Sequence, residues 1–265
     1  MWARYVPAVA LAGGLIAPSA FAQELANPSW AAMPDGEAMA EAYPVFAYMA
    51  ELDGDVILQC GIAADSTLSL CRAVEARPAG LGFDRAGLSV ASLFRANPAR
   101  VDGETVPSQV RFAVRFRMPA LEWAPPWTGP EPTPEHLAAA RAVVEERAAW
   151  DMRGPESFAT MDLDVDVDRE ARVRAIVLAV KAEFLEQEIE AGALWTARLF
   201  TPEQIAEASA TGEDPPPPPD DLSASAGDAW DRMGISSSQR LRQLYCAEFD
   251  CPTLPLPSPH AAADQ

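Results

Sequence analysis

Four cysteines stand in two close pairs, Cys60 with Cys71 and Cys246 with Cys251. Thiols can oxidise to disulfides, ligate a metal or attack a substrate, and their surroundings decide among these uses. A structural zinc site wants four ligands, and Cys246 and Cys251 have no further cysteine or histidine nearby. They are read as a local disulfide closing the end of the last helix. Cys60 and Cys71 lie in two consecutive strand-like segments, and a connection at residues 64–67 sets them opposite each other, where a cross-strand bridge fits. A cysteine nucleophile would need a neighbouring base and a reducing compartment, and the N-terminus argues against the second.

The acidic run MDLDVDVDRE puts Asp162, Asp164, Asp166 and Asp168 at every second position, so an extended chain would carry these carboxylates on one face. Calcium takes such oxygens, but an EF-hand loop starting at Asp162 would need glycine at Val167 and glutamate at Val173. The run reads instead as an acidic loop or edge strand ending in an N-cap aspartate for the next helix. His136 and His260 are the only histidines, and neither has a metal-ligand partner at helical spacing. Glu145 with Glu146, and Glu186 with Glu190, read as solvated helix faces rather than acid–base pairs. No nucleotide-binding, hydrolase or zinc-protease motif is present, so the expectation is a non-enzyme with no catalytic residue, metal or cofactor.

The alternation in residues 106–118 offers a different chemistry. Val110, Phe112, Val114 and Phe116 fall on one face of an extended chain, and Arg111, Arg115 and Arg117 on the other. At a sheet edge such a strand presents unpaired amides and carbonyls to an extended peptide, with Gln109, Arg111, Arg115 and Arg117 as candidate partner-binding residues for acidic side chains. The same edge could instead be covered by the helical half of the chain or used in a homodimer.

Charge and the N-terminus narrow the setting. With 39 acidic against 20 basic residues and a formal net charge of -19, the chain is ill suited to nucleic acid or an anionic membrane surface. The opening MWARYVPAVALAGGLIAPSAFAQ has Arg4, an apolar run and the small-residue ending Ala20-Phe21-Ala22, the pattern of a secretory signal peptide over residues 1–22. Pro7, Pro18 and Gly13-Gly14 interrupt the run and weaken its alternative use as an inner-membrane anchor. Export would place the chain in the periplasm, where disulfides persist.

Strands and helices must position these groups. Val56, Leu58, Cys60 and Ile62 share one face of a first strand. In the second, Leu68, Leu70 and Val74 fall opposite Cys71 and Ala73, so burying Cys71 requires a bulge near Ser69. A helix is expected over residues 83–95, with Ala86, Val90, Leu93 and Phe94 toward the sheet and Pro98 as its limit. Residues 119–133 form a connector with Trp123 and Trp127, 134–210 a helical region, 211–227 a Pro/Ser-rich spacer, and 228–265 a last helix and tail. Thr133-Pro134 and Thr201-Pro202-Glu203-Gln204 are helix starts, the second with a capping box. Expected helices run from 134 to about 153, from Asp168 to Ala191 with Gly192 as the stop, from Pro202, and over residues 237–245.

The order of motifs in residues 43–118 resembles the C-terminal domain of TonB, an envelope protein that grips outer-membrane transporters. The series is Tyr43-Pro44 before a short helix, Gly54 opening a strand, Asp65 in the next turn, Phe83-Asp84 and Ala86 starting a helix, Arg95 near its end, Pro98, Asp102-Gly103, and Val106-Pro107 before the long final strand. It departs from the family at Asp65-Ser66, where Asp-Gly is usual, and at Phe94 and Ala96, where an aromatic pair is usual. The resemblance implies an α+β fold over residues 33–118, a small antiparallel sheet with one or two packed helices, followed by the α-helical region. It also implies binding of an envelope protein or extended peptide by strand addition. The leading expectation is a periplasmic adaptor. One alternative is a membrane-anchored energy transducer, opposed by an N-terminus without the serine and histidine of the family's anchor and by the lack of a long proline-rich arm. Another is an enzyme or calcium-binding module in the helical half.

Overall fold

A sheet in the order β1-β8-β3-β4 organises the first half of the chain. It consists of β1 (Gln23–Leu25), β3 (Gly54–Ile62), β4 (Leu68–Arg77) and β8 (Ser108–Phe116). β3 pairs antiparallel with β4 and β8, and β1 joins β8 in parallel. Two short ladders flank it, β2 (Trp30–Ala32) with β5 (Arg95–Ala96), and β6 (Arg100–Val101) with β7 (Glu104–Thr105). Helices α1 (Gly36–Glu41), α2 (Val45–Met49) and α3 (Phe83–Ala91) belong to this half. The second half is helical: α4 (Pro134–Ala148), α5 (Pro155–Thr160), α6 (Val167–Leu199), α7 (Pro202–Thr211) and α8 (Asp228–Cys246). This computed structural model describes residues 23–25, 29–106, 108–119, 125–148, 155–212, 225–249 and 251. The expected signal peptide, Trp123, most of the Pro/Ser-rich spacer and the tail with His260 lie outside them. The fold is α+β with a helical region, as expected from sequence.

Every second residue of β3 is buried, so Val56, Leu58, Cys60 and Ile62 meet Val110, Val114 and Phe116 of β8 in one core. Helix α3 can approach this closely only because two glycines lack a Cβ. One at Gly54 would lie 2.4 Å from the Phe83 ring, and one at Gly87 2.4 Å from Val56 Cγ1. On the other side of β3 the β4 ladder shifts register twice, between Ile57 and Leu58 and between Gln59 and Gly61. At the second shift Leu70 takes a φ of +50° and is 94% exposed, while Cys71 turns inward and bonds to Cys60. The bulge anticipated near Ser69 thus falls on Leu70 and Cys71, and the Leu70–Val74 side is the outward one. Cys246 and Cys251 form the second disulfide, so both pairs are as expected.

Several boundaries differ from the sequence-based expectation. Helix α3 stops at Ala91, because the chain turns to give Arg95-Ala96 to the ladder with β2, which leaves Leu93 exposed and Phe94 buried. α6 does not stop at Gly192 but runs 33 residues through it. Gly192 serves close packing there: a Cβ would lie 3.0 Å from Val144 and 3.1 Å from Trp230. The last helix starts at Asp228, well before Ser237. The capping box at Thr201 and Gln204 is present, and Thr133 Oγ1 accepts from the His136 amide.

The two halves share one buried cluster, in which Val173, Ile176, Val177 and Val180 of α6 and Leu241 and Tyr245 of α8 join the sheet residues. The acidic run is the clasp between them. The Phe46 amide donates to Leu163 O at 3.1 Å, the Val45 amide to Asp164 Oδ2 at 3.1 Å, and Arg85 to Asp164 O at 2.6 Å and Asp166 Oδ1 at 3.0 Å. Asp166 is the N-cap residue of α6, but its carboxylate serves Arg85 rather than the helix amides.

Space decides the response to substitution at two helical glycines. Gly87→Ala forces α3 away from Val56 and should cost roughly 1–3 kcal/mol of overpacking. At Gly234 of α8 a Cβ would meet nothing within 4 Å. Gly234→Ala should therefore stabilise by about 0.5–1 kcal/mol through helix propensity. Urea unfolding of the two variants measures both signs.

Candidate functional site

The face of the sheet turned away from the core carries the predicted binding residues, and the antiparallel register of β3 and β8 fixes their neighbours. Gln59 stands beside Arg111, Ile57 beside Ala113, and Asp55 beside Arg115. Gln59 Nε2 donates to Gln109 Oε1 at 3.2 Å, and Arg72 Nη2 donates to Gln59 Oε1 at 2.6 Å. Gln109 is thus the end of a short polar chain across three strands. Arg72 joins it only because of the β4 bulge, which is why no sequence pattern marked it.

The three arginines of this segment have different roles. Arg117 Nη2 lies 2.7 Å from Asp55 Oδ1, its Nη1 donates to Gly54 O and Phe116 O at 2.9 Å each, and its Nε is 3.7 Å from Asp53 Oδ2. Asp53 also accepts from the Met118 amide at 2.9 Å. Arg117 therefore fastens the end of the sheet. Arg111 and Arg115 are exposed and have no hydrogen bond or ion pair to any described residue. Two cations on one face without an ion-pair partner among the described residues are unusual in a chain with a net charge of -19.

The edge itself differs from the expected picture. β8 is second in the sheet rather than outermost, and β1 lies outside it, opposite residues 108–110. No described strand pairs with the outward side of residues 111–116. At the opposite margin β4 has no further described strand, but its two register shifts bend it, a device that discourages strand addition. β1 was not anticipated; QEL is too short to show a period.

A second concave feature opens between α2, α6 and α8, with a volume of about 1100 Å³. Tyr48, Met49, Met161, Phe184, Trp230 and Ile235 give it a largely apolar wall, and Gly234 faces into it. Several of its polar groups are engaged: Lys181 with Glu188 at 2.6 Å, Tyr43 OH donating to Leu52 O at 2.9 Å, and Arg242 Nε donating to Ala50 O at 3.1 Å. Burial raises the Glu51 carboxyl above its usual range, against the opposing pull of Arg242 and Ser238. Burial, then the nearby Asp53, push the Tyr43 phenol upward. Among the described residues no group of three or more His, Cys, Asp or Glu side chains is placed to hold a metal ion, and no helix is long and apolar enough to cross a membrane.

No protein-family model, curated protein or solved structure matches the chain. Its function is therefore argued from the geometry above.

The different roles of the arginines are measurable. Arg117→Ala should lower stability by about 1 kcal/mol, since its ion pairs are partly exposed. Arg111→Ala and Arg115→Ala should each stay within about 0.5 kcal/mol of the parent. The urea midpoints of the three variants give the comparison.

Proposed function

We propose that this is a periplasmic, non-enzymatic adaptor that binds an acidic, extended segment of an envelope protein as an added strand beside β8. The observation that carries the reading is the coincidence, on one strand, of an outward side without a described partner at residues 111–116 and two exposed, unpaired arginines, Arg111 and Arg115. Backbone pairing would supply affinity, and the arginines would select for carboxylates. Disulfides persist in oxidising compartments, so the two bridges support placement outside the cytoplasm, and the signal-like N-terminus supports the periplasm. The likeness to TonB C-terminal domains points to the same mode of binding.

Charge reversal tests the reading without disturbing the sheet. Arg111→Glu with Arg115→Glu leaves the core face and the Arg117 cluster in place, and should weaken capture of an acidic β-forming peptide at least about tenfold. Raised salt should weaken the parent's binding in the same direction. Unchanged binding by the folded double variant would reject this surface.

The cleft supports a second reading, a site for an extended apolar ligand such as an acyl chain. It rests on the apolar wall and on Gly234, a helix-weakening residue whose side chain would otherwise occupy the space. Gly234→Phe would fill the cleft and should abolish uptake of a fluorescent fatty acid. Equal uptake by parent and variant would exclude the site.

A further inference from the structure

The outward side of β8 already has an occupant at one end. β1 is a strand of three residues, with Gln23 opposite Ser108, Glu24 opposite Gln109 and Leu25 opposite Val110. On its other side β8 is paired over its whole length with β3. The chain just downstream of β1 is held much more firmly. The Asn97 amide donates to Ser29 O at 2.9 Å, and its side chain donates to Ser29 Oγ at 2.6 Å. The Trp30 ring packs 5.1 Å from Phe94 and 4.8 Å from Phe112, and β2 pairs with β5. β1 is thus a short strand with a few ladder bonds, attached to a well-seated base.

We infer that β1 is an exchangeable resident of the partner-binding edge, displaced when a longer acidic strand pairs along the whole of β8. The inference rests on the strand-addition reading. Its first support is length: the resident pairs with three residues of β8, whereas a full-length partner has nine available. Each further residue adds ladder hydrogen bonds, so the longer strand wins the exchange. Its second support is chemistry. The resident carries glutamate at the register position of Gln109, at the end of the face that bears Arg111 and Arg115. The chain's own segment is thus of the class assigned to the partner.

Exchange of this kind sets a threshold. With Ser29 and Trp30 still seated, a released β1 stays tethered beside the edge at an effective concentration on the order of millimolar. Weak or short acidic strands lose to it, and only partners that engage more of β8 displace it.

The test uses a labelled peptide of alternating valine and glutamate, as long as β8, against the chain starting at Gln23 and a chain starting at Ser29. Removing β1 should tighten binding at least about tenfold. Leu25→Pro in the longer chain removes one backbone donor from β1 and leaves the base intact, so it should act in the same direction even if the shortened protein folds poorly. Unchanged affinity in both variants, with Arg111→Glu/Arg115→Glu still weakening binding, overturns the inference and leaves the strand-addition reading standing. Loss of binding on removing β1 also overturns it, since β1 would then be part of the site. If no form binds the peptide, the reading fails and the inference with it. Hydrogen exchange gives a readout without peptide: amides of β1 should exchange at least about a hundredfold faster than those of β3. Equal protection overturns the inference.

Discussion

Phe46 and Tyr245 meet with ring centroids 5.2 Å apart, and both side chains are fully enclosed. One belongs to a five-residue helix in the sheet half, the other to the last helix of the chain. Burial of a large aromatic contributes roughly 1.5–3 kcal/mol, and here a single contact does so for both halves. The groups around it exist to hold it. Arg169 Nη1 donates to Tyr245 OH at 2.8 Å, Phe249 stacks on Tyr245 at 4.8 Å, and Arg169 lies over the Phe249 ring. The Cys246–Cys251 bridge fixes the turn that presents Phe249. Burial raises the Tyr245 phenol above its ordinary value, with Arg169 pulling against that rise. The ring therefore acts as a neutral, hydrogen-bonded wedge.

The helical half has its own polar fastening. Arg198 is only 6% exposed and reaches Asp228 Oδ1 at 2.7 Å and Glu131 Oε1 at 3.1 Å, with Trp127 against its guanidinium. It ties the end of α6 to the connector and to the start of α8. Burial raises the Asp228 carboxyl and its two arginine partners, Arg198 and Arg232, more than offset this, so it stays ionised below the usual range. A buried pair of this sort adds little net stability but penalises any arrangement that separates it. It specifies where the connector lies.

Local chemistry was legible in the sequence, and tertiary choice was not. The alternation of Val56, Leu58, Cys60 and Ile62 and of Val110, Val114 and Phe116 could be read because burial on one face leaves a period of two. Thr201 with Gln204 could be read because a cap is made by neighbours. Gly192 misled, since the same residue ends helices and lets helices touch, and only the positions of Val144 and Trp230 distinguish the two. Arg115 and Arg117 look alike along the chain, yet Asp53 and Asp55 claim only the second. The start of α8 was hidden by Gly234 and the serines that follow it, weak helix formers that put the expected start only at Ser237 until packing on α6 is known.

The seam between the halves also has a direction in time. Arg242 donates to Ala50 O across a separation of 192 residues, and Tyr245 covers Phe46 over a comparable distance. While the chain is being synthesised, α2 emerges long before the last helix, whose Tyr245 covers Phe46. An apolar face left open for that interval invites aggregation, and contacts of such separation form late. This chain is therefore a poor candidate for folding stepwise from its N-terminus. Shielding Phe46, or keeping the chain unfolded, until the last helix is delivered would avoid that exposure.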